Sequence, residues 1–342
     1  KVIRQAIFEK SGPLKFKIPP DAELIPWMMR FATYCTSARS TELTRQKYRL
    51  AVEAIGLYRD IISETGISFD DYVSGSLNVF SSESAIDAAW DAAKVLRDEG
   101  LVLERLDRDQ LLATEPILNG DKSEISGGLL SRVDWSGNPA IFTRKLLKWL
   151  EKHSGVRTIF GADVVSFEEK HGGISKVRTS KGDMEADAYV AAFGANAGRM
   201  LKDLGIRIPI YPVKGYSITI PSKAESPSLN CSIIDGSRRL ALAKLGSSIR
   251  VTFRAEFVGF DTSIDRQICE APLNYVKRLF GESLNYDAAT YWCGFRPMTP
   301  NGLPIVGATR IANLYINAGH GHLGWTMAPM TAQRLAGVIE RH

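Results

Sequence analysis

Cysteine is scarce in this chain, and what there is lies scattered. The four residues Cys35, Cys231, Cys269 and Cys293 form no CxxC pair, so neither a paired redox motif nor a zinc ribbon is supported. Such usage fits a reducing, cytoplasmic-side compartment better than a disulfide-stapled secreted fold. Of five histidines only His320 and His322 are close, and two residues apart they do not share a helix face. No metal site is expected. No apolar run is long enough to span a bilayer. The nearest stretch, Leu24 to Phe31, is interrupted by Pro26 and Arg30; it reads as a core helix, with peripheral contact at the inner face of a membrane the other reading left open. Charge of one sign is also lacking: the formal balance is +5 with no basic run interleaved with aromatics, which excludes the footprint of a nucleic-acid binder. There is no internal repeat and no low-complexity tract.

What is present is an ordinary globular composition, 44% hydrophobic and 24% charged over 342 residues, enough for two domains with substantial cores. Its most informative stretch runs from Gly294-Phe295-Arg296-Pro297-Met298-Thr299-Pro300-Asn301-Gly302 to Ala318-Gly319-His320-Gly321-His322-Leu323-Gly324-Trp325-Thr326-Met327. The first half is a rigid Pro/Gly loop carrying one arginine. The second is a strand at Leu314 to Asn317, a glycine turn, and a helix starting near Leu323. Glycines at 319, 321 and 324 remove the side chains that would keep a planar ligand off the backbone, and the helix start favours negative charge. Arg296 offers a planar fork matched to a carboxylate. Taken singly, a glycine turn is more often plain turn chemistry and a lone arginine a surface residue. Their order and spacing carry the signal.

GFRPMTPNGLPIVG followed by a strand and GHGHLGWTMA resembles the C-terminal signature of the D-amino-acid oxidase superfamily, most of all its bacterial FAD-dependent D-amino-acid dehydrogenases. The likeness extends through Tyr211-Pro212-Val213-Lys214-Gly215-Tyr216-Ser217, through Ala191-Ala192-Phe193-Gly194-Ala195-Asn196 and through Leu106 to Pro116. It implies an α/β (α+β) fold in which a Rossmann-like FAD-binding domain interleaves with an antiparallel-sheet substrate domain. The expected boundaries put residues 1–138 and 205–298 in the substrate half and 139–204 and 299–342 in the nucleotide half. Proteins of this kind open with a strand, a GxGxxG turn and a helix that hold the pyrophosphate. Lys1 to Phe8 instead resembles a stretch downstream of that fingerprint, so the nucleotide half is expected to be incomplete at its N-terminus, the missing unit being either truncated or supplied by a partner chain.

The resemblance also implies the reaction: FAD-dependent oxidative deamination of a D-amino acid by hydride transfer from the α-carbon, with a quinone or oxygen as final acceptor. Glycine, sarcosine, proline or hydroxyproline as substrate is the same-fold alternative, and a non-catalytic subunit is the alternative of a different class. Arg296, Tyr216 and Lys214 are the candidate catalytic residues, with Arg296, Tyr216 and His322 lining the substrate. Val164, Val165, Ala192 and Gly194 are implied at the adenosine half of FAD, and Gly319, His320, Gly321, His322, Leu323, Gly324, Trp325 and Thr326 at the flavin. Three departures stand out: Asn301 where an aspartate is usual, His322 in place of a small residue, and Arg254 in a segment that is normally glycine-rich. Arg254 is read as the mark of a substrate with a second acidic group.

Local signals predict the remaining elements. Leu24 to Cys35 and Thr41 to Thr65 are helices, the second with Ala51, Ala54, Ile55, Tyr58, Ile61 and Ile62 on one face. Ser82, Asp107 and Asn138 are helix caps, for helices to about Asp98, to Glu115 and to His153. Strands are expected at 74–80, 101–106, 127–130, 156–160, 164–170, 174–179, 188–193, 210–221, 232–245, 249–257 and 286–295, with helices after Gly194 and over 265–280.

Overall fold

The computed structural model describes residues 14–16, 21–73, 75–121, 125–223 and 227–341. The expectation placed on Lys1 to Phe8 lies outside the described residues. The chain divides into two compact units, one of Lys1–Ile18, Ser68–Phe142 and Lys214–Gly294, the other of Pro19–Ile67, Thr143–Val213 and Phe295–His342.

The first unit holds most of a large sheet with strand order Thr290–Met298, Tyr211–Pro221, Ser248–Phe257, Leu240–Leu245, Ser232–Asp235, Ser76–Phe80, Gly127–Ser131 and Glu104–Asp107, of which Thr290–Met298 continues past Gly294 and Tyr211–Pro221 begins before Lys214. Most neighbours are antiparallel, but Ser232–Asp235 runs parallel to Ser76–Phe80, and Leu14–Phe16 parallel to Ser248–Phe257. The sheet is therefore mixed, with the expected antiparallel pairs in the majority. Period-two alternation turns Ile249, Val251 and Phe253 inward against Ile218, Ile220, Ile233 and Leu242, and the helix Gln267–Phe280 covers them with Val276, Leu279 and Phe280. Each such side chain contributes roughly 1.5–3 kcal/mol through burial.

Caps set by nearest neighbours form as expected. Ser82 accepts from Ala85 N, and Asn138 from Ala140 N and Ile141 N. Asp107 and Gln110 make a reciprocal capping box at 2.8 and 3.0 Å. Asp107→Ala should therefore lower unfolding free energy by about 1 kcal/mol in a urea titration. An unchanged midpoint would mean that packing alone holds that helix.

Four local expectations differ. The segment 232–245 is a hairpin rather than one strand, because Asp235 closes a turn by accepting from Ser237 Oγ and Arg238 N at 2.6 and 2.9 Å. The helix after Ser82 is two pieces, Glu83–Ala92 and Lys94–Asp98, meeting at Ala93. Tyr286–Ala288 is a single 3-10 turn capped by Asn285, so the following strand begins at Thr290. Residues 156–160 form no strand; Val156, Ile159 and Phe160 stay exposed, since alternation alone supplies no partner strand.

In the second unit the long helix Ser37–Thr65 packs on the helix Gly324–Ile339. Leu50 and Ala54 meet Met327 and Met330 in a buried cluster, and Tyr58 OH donates to Trp325 O at 2.5 Å. This pairing places residues 19–67 with the nucleotide-half segments, where the sequence reading had put them with the substrate half. The strand Leu314–Ala318 pairs in parallel with Tyr189–Ala191 and antiparallel with Ile305–Ala308. A three-stranded meander, Val164–Lys170, Gly173–Thr179 and Gly182–Met184, lies in the same unit. Among the described residues no helix is long and apolar enough to cross a membrane.

Candidate functional site

Two parallel strands, Tyr189–Ala191 and Leu314–Ala318, end at one edge of their sheet. Loops leaving the carboxyl ends of parallel strands are where ligands bind in open α/β sheets. The loop after Leu314–Ala318 is Gly319-His320-Gly321-His322-Leu323, and it feeds directly into the helix Gly324–Ile339. Gly319 has φ +82°, and a Cβ there would sit 2.7 Å from Thr299 Cγ2. Gly321 has φ +61°, with Met298 Sδ at 2.8 Å from the corresponding position. Left-handed backbone and close packing together demand glycine at both. The spacing Gly319-x-Gly321-x-x-Gly324, between strand and helix, lets the turn pack closely on Thr299, Ile210 and Met298.

The helix start has no side-chain cap at Leu323, so its dipole and amide groups present a positive end to this edge. Just before the turn, Asn317 Oδ1 is buried and has no hydrogen-bond partner. Leaving a buried acceptor unmet costs about 1–3 kcal/mol, so the position fits a ligand N–H. In the three-stranded meander of the same unit, Val165 is 66% exposed. Ala192 is exposed too, and nothing lies within 4 Å of a Cβ placed on Gly194. Glycines at two neighbouring loops, an uncapped helix start and an unmet acceptor are features that a dinucleotide with a polar ring edge would fit.

The imidazole of His320 is fixed. Its Nε2 lies 3.0 Å from Thr331 Oγ1, whose hydroxyl can donate to the carbonyls of Met327 and Ala328 at 3.2 and 3.1 Å. Thr331 then accepts from Nε2–H, and burial lowers the His320 pKa, so the ring is neutral near pH 7. Met298 forms an antiparallel bridge with His320, and its carbonyl accepts from Trp27 Nε1 at 2.9 Å. Arg296 lies two residues before that bridge on the strand Thr290–Met298, and His322 two residues after it in a 3-10 turn. Arg296 is half-buried, and burial lowers its pKa while leaving it charged at neutral pH. The pKa of His322 is lowered by burial, then by the nearby charges of Lys47 and Arg296.

Lys47 was not singled out in the sequence. It stands four and seven residues before Ala51 and Ala54, hence on the apolar stripe of the long helix, and a lysine on a buried stripe is the signal that could have found it. Its Nζ lies 3.5 Å from where a side chain on Gly302 would begin, and burial lowers its pKa. Asn317 and Thr331 went unnoticed because nothing local marks an acceptor left unmet or a hydroxyl reached across eleven residues.

Thus Arg296 and the run from Gly319 to Thr326 come together in one unit, which also holds Val164, Val165, Ala192 and Gly194. Lys214 and Tyr216 belong to the first unit, and both are buried. Tyr216 OH donates to Glu256 Oε2 at 2.8 Å, and burial followed by that carboxylate pushes the phenol pKa up. Lys214 Nζ donates to Ser263 O and lies 3.4 Å from Asp261 and 3.9 Å from Glu256. Arg254, held at φ +65°, donates from Nε to Glu256 Oε1 at 2.6 Å.

Residues 23–337 match the sequence pattern of the FAD dependent oxidoreductase (DAO) family. The chain is 38% identical over 313 residues to a D-amino acid dehydrogenase of Granulibacter bethesdensis, covering 92% of this chain and 75% of that protein. It is 37% identical to the D-amino acid dehydrogenase of Agrobacterium fabrum, covering 97% of this chain and 79% of that one. Among solved structures, glycine oxidase from Geobacillus kaustophilus superposes with a TM-score of 0.75 at 22% identity, covering 86% of this chain and 79% of that one. L-Proline dehydrogenase from P. horikoshii gives 0.74 at 19%, covering 86% and 78%. These two show the mixed α/β fold alone. A family match over most of the length, with the glycine turn and Arg296 in the geometry above, makes this chain a member of the DAO family of FAD-dependent oxidoreductases.

Proposed function

We propose that the chain performs oxidative deamination of D-amino acids, and the observation that carries this reading is the Met298–His320 bridge, which brings the strand bearing Arg296 against the glycine turn. When bound, FAD supplies the two-electron acceptor for the substrate α-hydrogen. Water then hydrolyses the resulting imino acid to an oxo acid and ammonia. Gly319, His320, Gly321, His322, Leu323, Gly324, Trp325 and Thr326 would hold the ring end, with the helix start favouring negative charge there. Val164, Val165, Ala192 and Gly194 would line the adenosine end. Arg296 would grip the substrate carboxylate with two parallel hydrogen bonds, turning binding energy into orientation of the α-carbon.

Lys214 and Tyr216 are proposed to act as a set held by Glu256. Because the Tyr216 proton is directed at that carboxylate, its oxygen can meet a substrate only as an acceptor, which suits an ammonium or amine.

The strand–turn–helix that would hold the pyrophosphate is proposed to come from polypeptide beyond these 342 residues. Support comes from the strand Tyr189–Ala191, which pairs on one side with Leu314–Ala318 and leaves Val190 45% exposed. A parallel edge strand of this kind is normally covered by further βαβ structure.

The test is a visible absorbance spectrum of the purified chain with added FAD, followed by a panel of D- and L-amino acids with an artificial electron acceptor and, separately, with oxygen. With an N-terminal βαβ fragment supplied, flavin bands and turnover of D-amino acids are expected. A loaded protein that oxidises only glycine, sarcosine or proline would overturn the substrate reading. A chain that stays colourless until an N-terminal βαβ fragment is added would support the need for that unit.

A further inference from the structure

The sequence reading placed a second substrate carboxylate at Arg254. The structure commits that guanidinium to Glu256, so the question moves to the cations near Arg296. Two side chains there are unusual. Lys47 is half-buried on the stripe of the long helix that otherwise carries Leu50, Ala54 and Tyr58 into the core. His322 stands in the glycine turn, two residues past the Met298–His320 bridge and close enough to Lys47 and Arg296 to feel both charges. Among the described residues neither Lys47 nor His322 makes an ion pair or a side-chain hydrogen bond. Lys47 reaches the Pro300-Asn301-Gly302 loop from the helix side, with Nζ 3.5 Å from the Gly302 Cβ position. That loop follows Arg296 by a few residues, so three basic groups converge on one corner of a single unit.

Partly buried cations that oppose each other's charge are stable when an anion joins them. One carboxylate suffices for the fork of Arg296. Lys47, a point charge on a flexible stem, and a neutral imidazole able to donate one N–H remain for another. We propose that Arg296, Lys47 and His322 form a two-anion site selecting dicarboxylic D-amino acids, Arg296 taking the α-carboxylate and Lys47 with His322 the side-chain carboxylate. This inference rests on the D-amino-acid reading above.

The test compares acids with their isosteric amides, which differ in charge and hardly in shape. With FAD supplied, kcat/KM and calorimetric dissociation constants are measured for D-glutamate against D-glutamine and D-aspartate against D-asparagine. The acid should be favoured by about 10- to 100-fold, the scale of a charged hydrogen bond. Lys47→Met should bring that ratio close to one, and His322→Asn should reduce it by a smaller factor. Equal values for acid and amide while D-alanine is still oxidised would sink this inference alone. A ratio unchanged in Lys47→Met, together with weaker FAD binding, would assign the lysine to the cofactor and overturn it equally. If no D-amino acid is bound or oxidised by the loaded protein, the inference falls together with the reading beneath it.

Discussion

Arg296→Ala should lower kcat/KM for every D-amino acid oxidised by about 100- to 10,000-fold, from the loss of two charge-assisted hydrogen bonds at about 1.5–3 kcal/mol each. Both parameters should move. KM rises because carboxylate binding is lost, and kcat falls because the α-carbon is no longer held in one orientation. Arg296→Lys keeps the charge but not the fork, so it should recover only part of the loss. Two controls separate a substrate role from a structural one. The thermal transition should change little, because Arg296 is half-buried rather than enclosed in a hydrophobic cluster. An amine lacking a carboxylate should be processed equally by the variant and the unaltered protein. If kcat/KM is unchanged for the amino acids as well, Arg296 does not grip the carboxylate.

How much of this was legible in the sequence depends on the reach of the forces concerned. Ser82, Asp107 and Asn138 could be named as caps because each bonds a backbone amide two or three residues away. The strand, glycine turn and helix over Leu314 to Ile339 were legible for the same reason. The hairpin inside 232–245 was missed although Asp235 and Arg238 are three apart, since the turn chemistry lay within an alternating run. Long-range facts were not available. Nothing in the chain says that Lys214, Tyr216 and Arg254 all turn toward Glu256. Nor does the chain say that the helix Ser37–Thr65 packs on Gly324–Ile339, bringing Lys47 to the loop after Arg296. Arg254 shows the limit best: its residue type suggested an anion, and the anion proved to be a carboxylate two residues along its own strand.

The glycine turn yields the second large effect, because its two left-handed glycines should fail in different ways. At Gly319 the obstacle is Thr299 Cγ2, 2.7 Å from the Cβ position and belonging to a buried, β-branched side chain whose hydroxyl bonds Leu303 O at 2.8 Å. It cannot rotate away without breaking that bond, so Gly319→Val combines overpacking with a valine at φ +82°. The cost is expected to be about 2–6 kcal/mol, from roughly 1–3 for each contribution, enough at its upper end to lose the fold. At Gly321 the obstacle is Met298 Sδ at 2.8 Å, part of an unbranched chain with three rotatable bonds that can move aside. Gly321→Val should therefore fold, at a cost of about 1–3 kcal/mol for the left-handed backbone, and yet retain little or no flavin, since its methyl groups and the displaced Met298 would crowd the turn proposed for the ring. Flavin-to-protein absorbance ratio and the far-ultraviolet circular dichroism melt, measured on both variants, separate the cases. A folded Gly321→Val protein fully loaded with flavin would remove the ring from this turn. A folded, colourless one would place it there, because the one change that matters is volume where the turn packs on Met298 and meets the start of the helix.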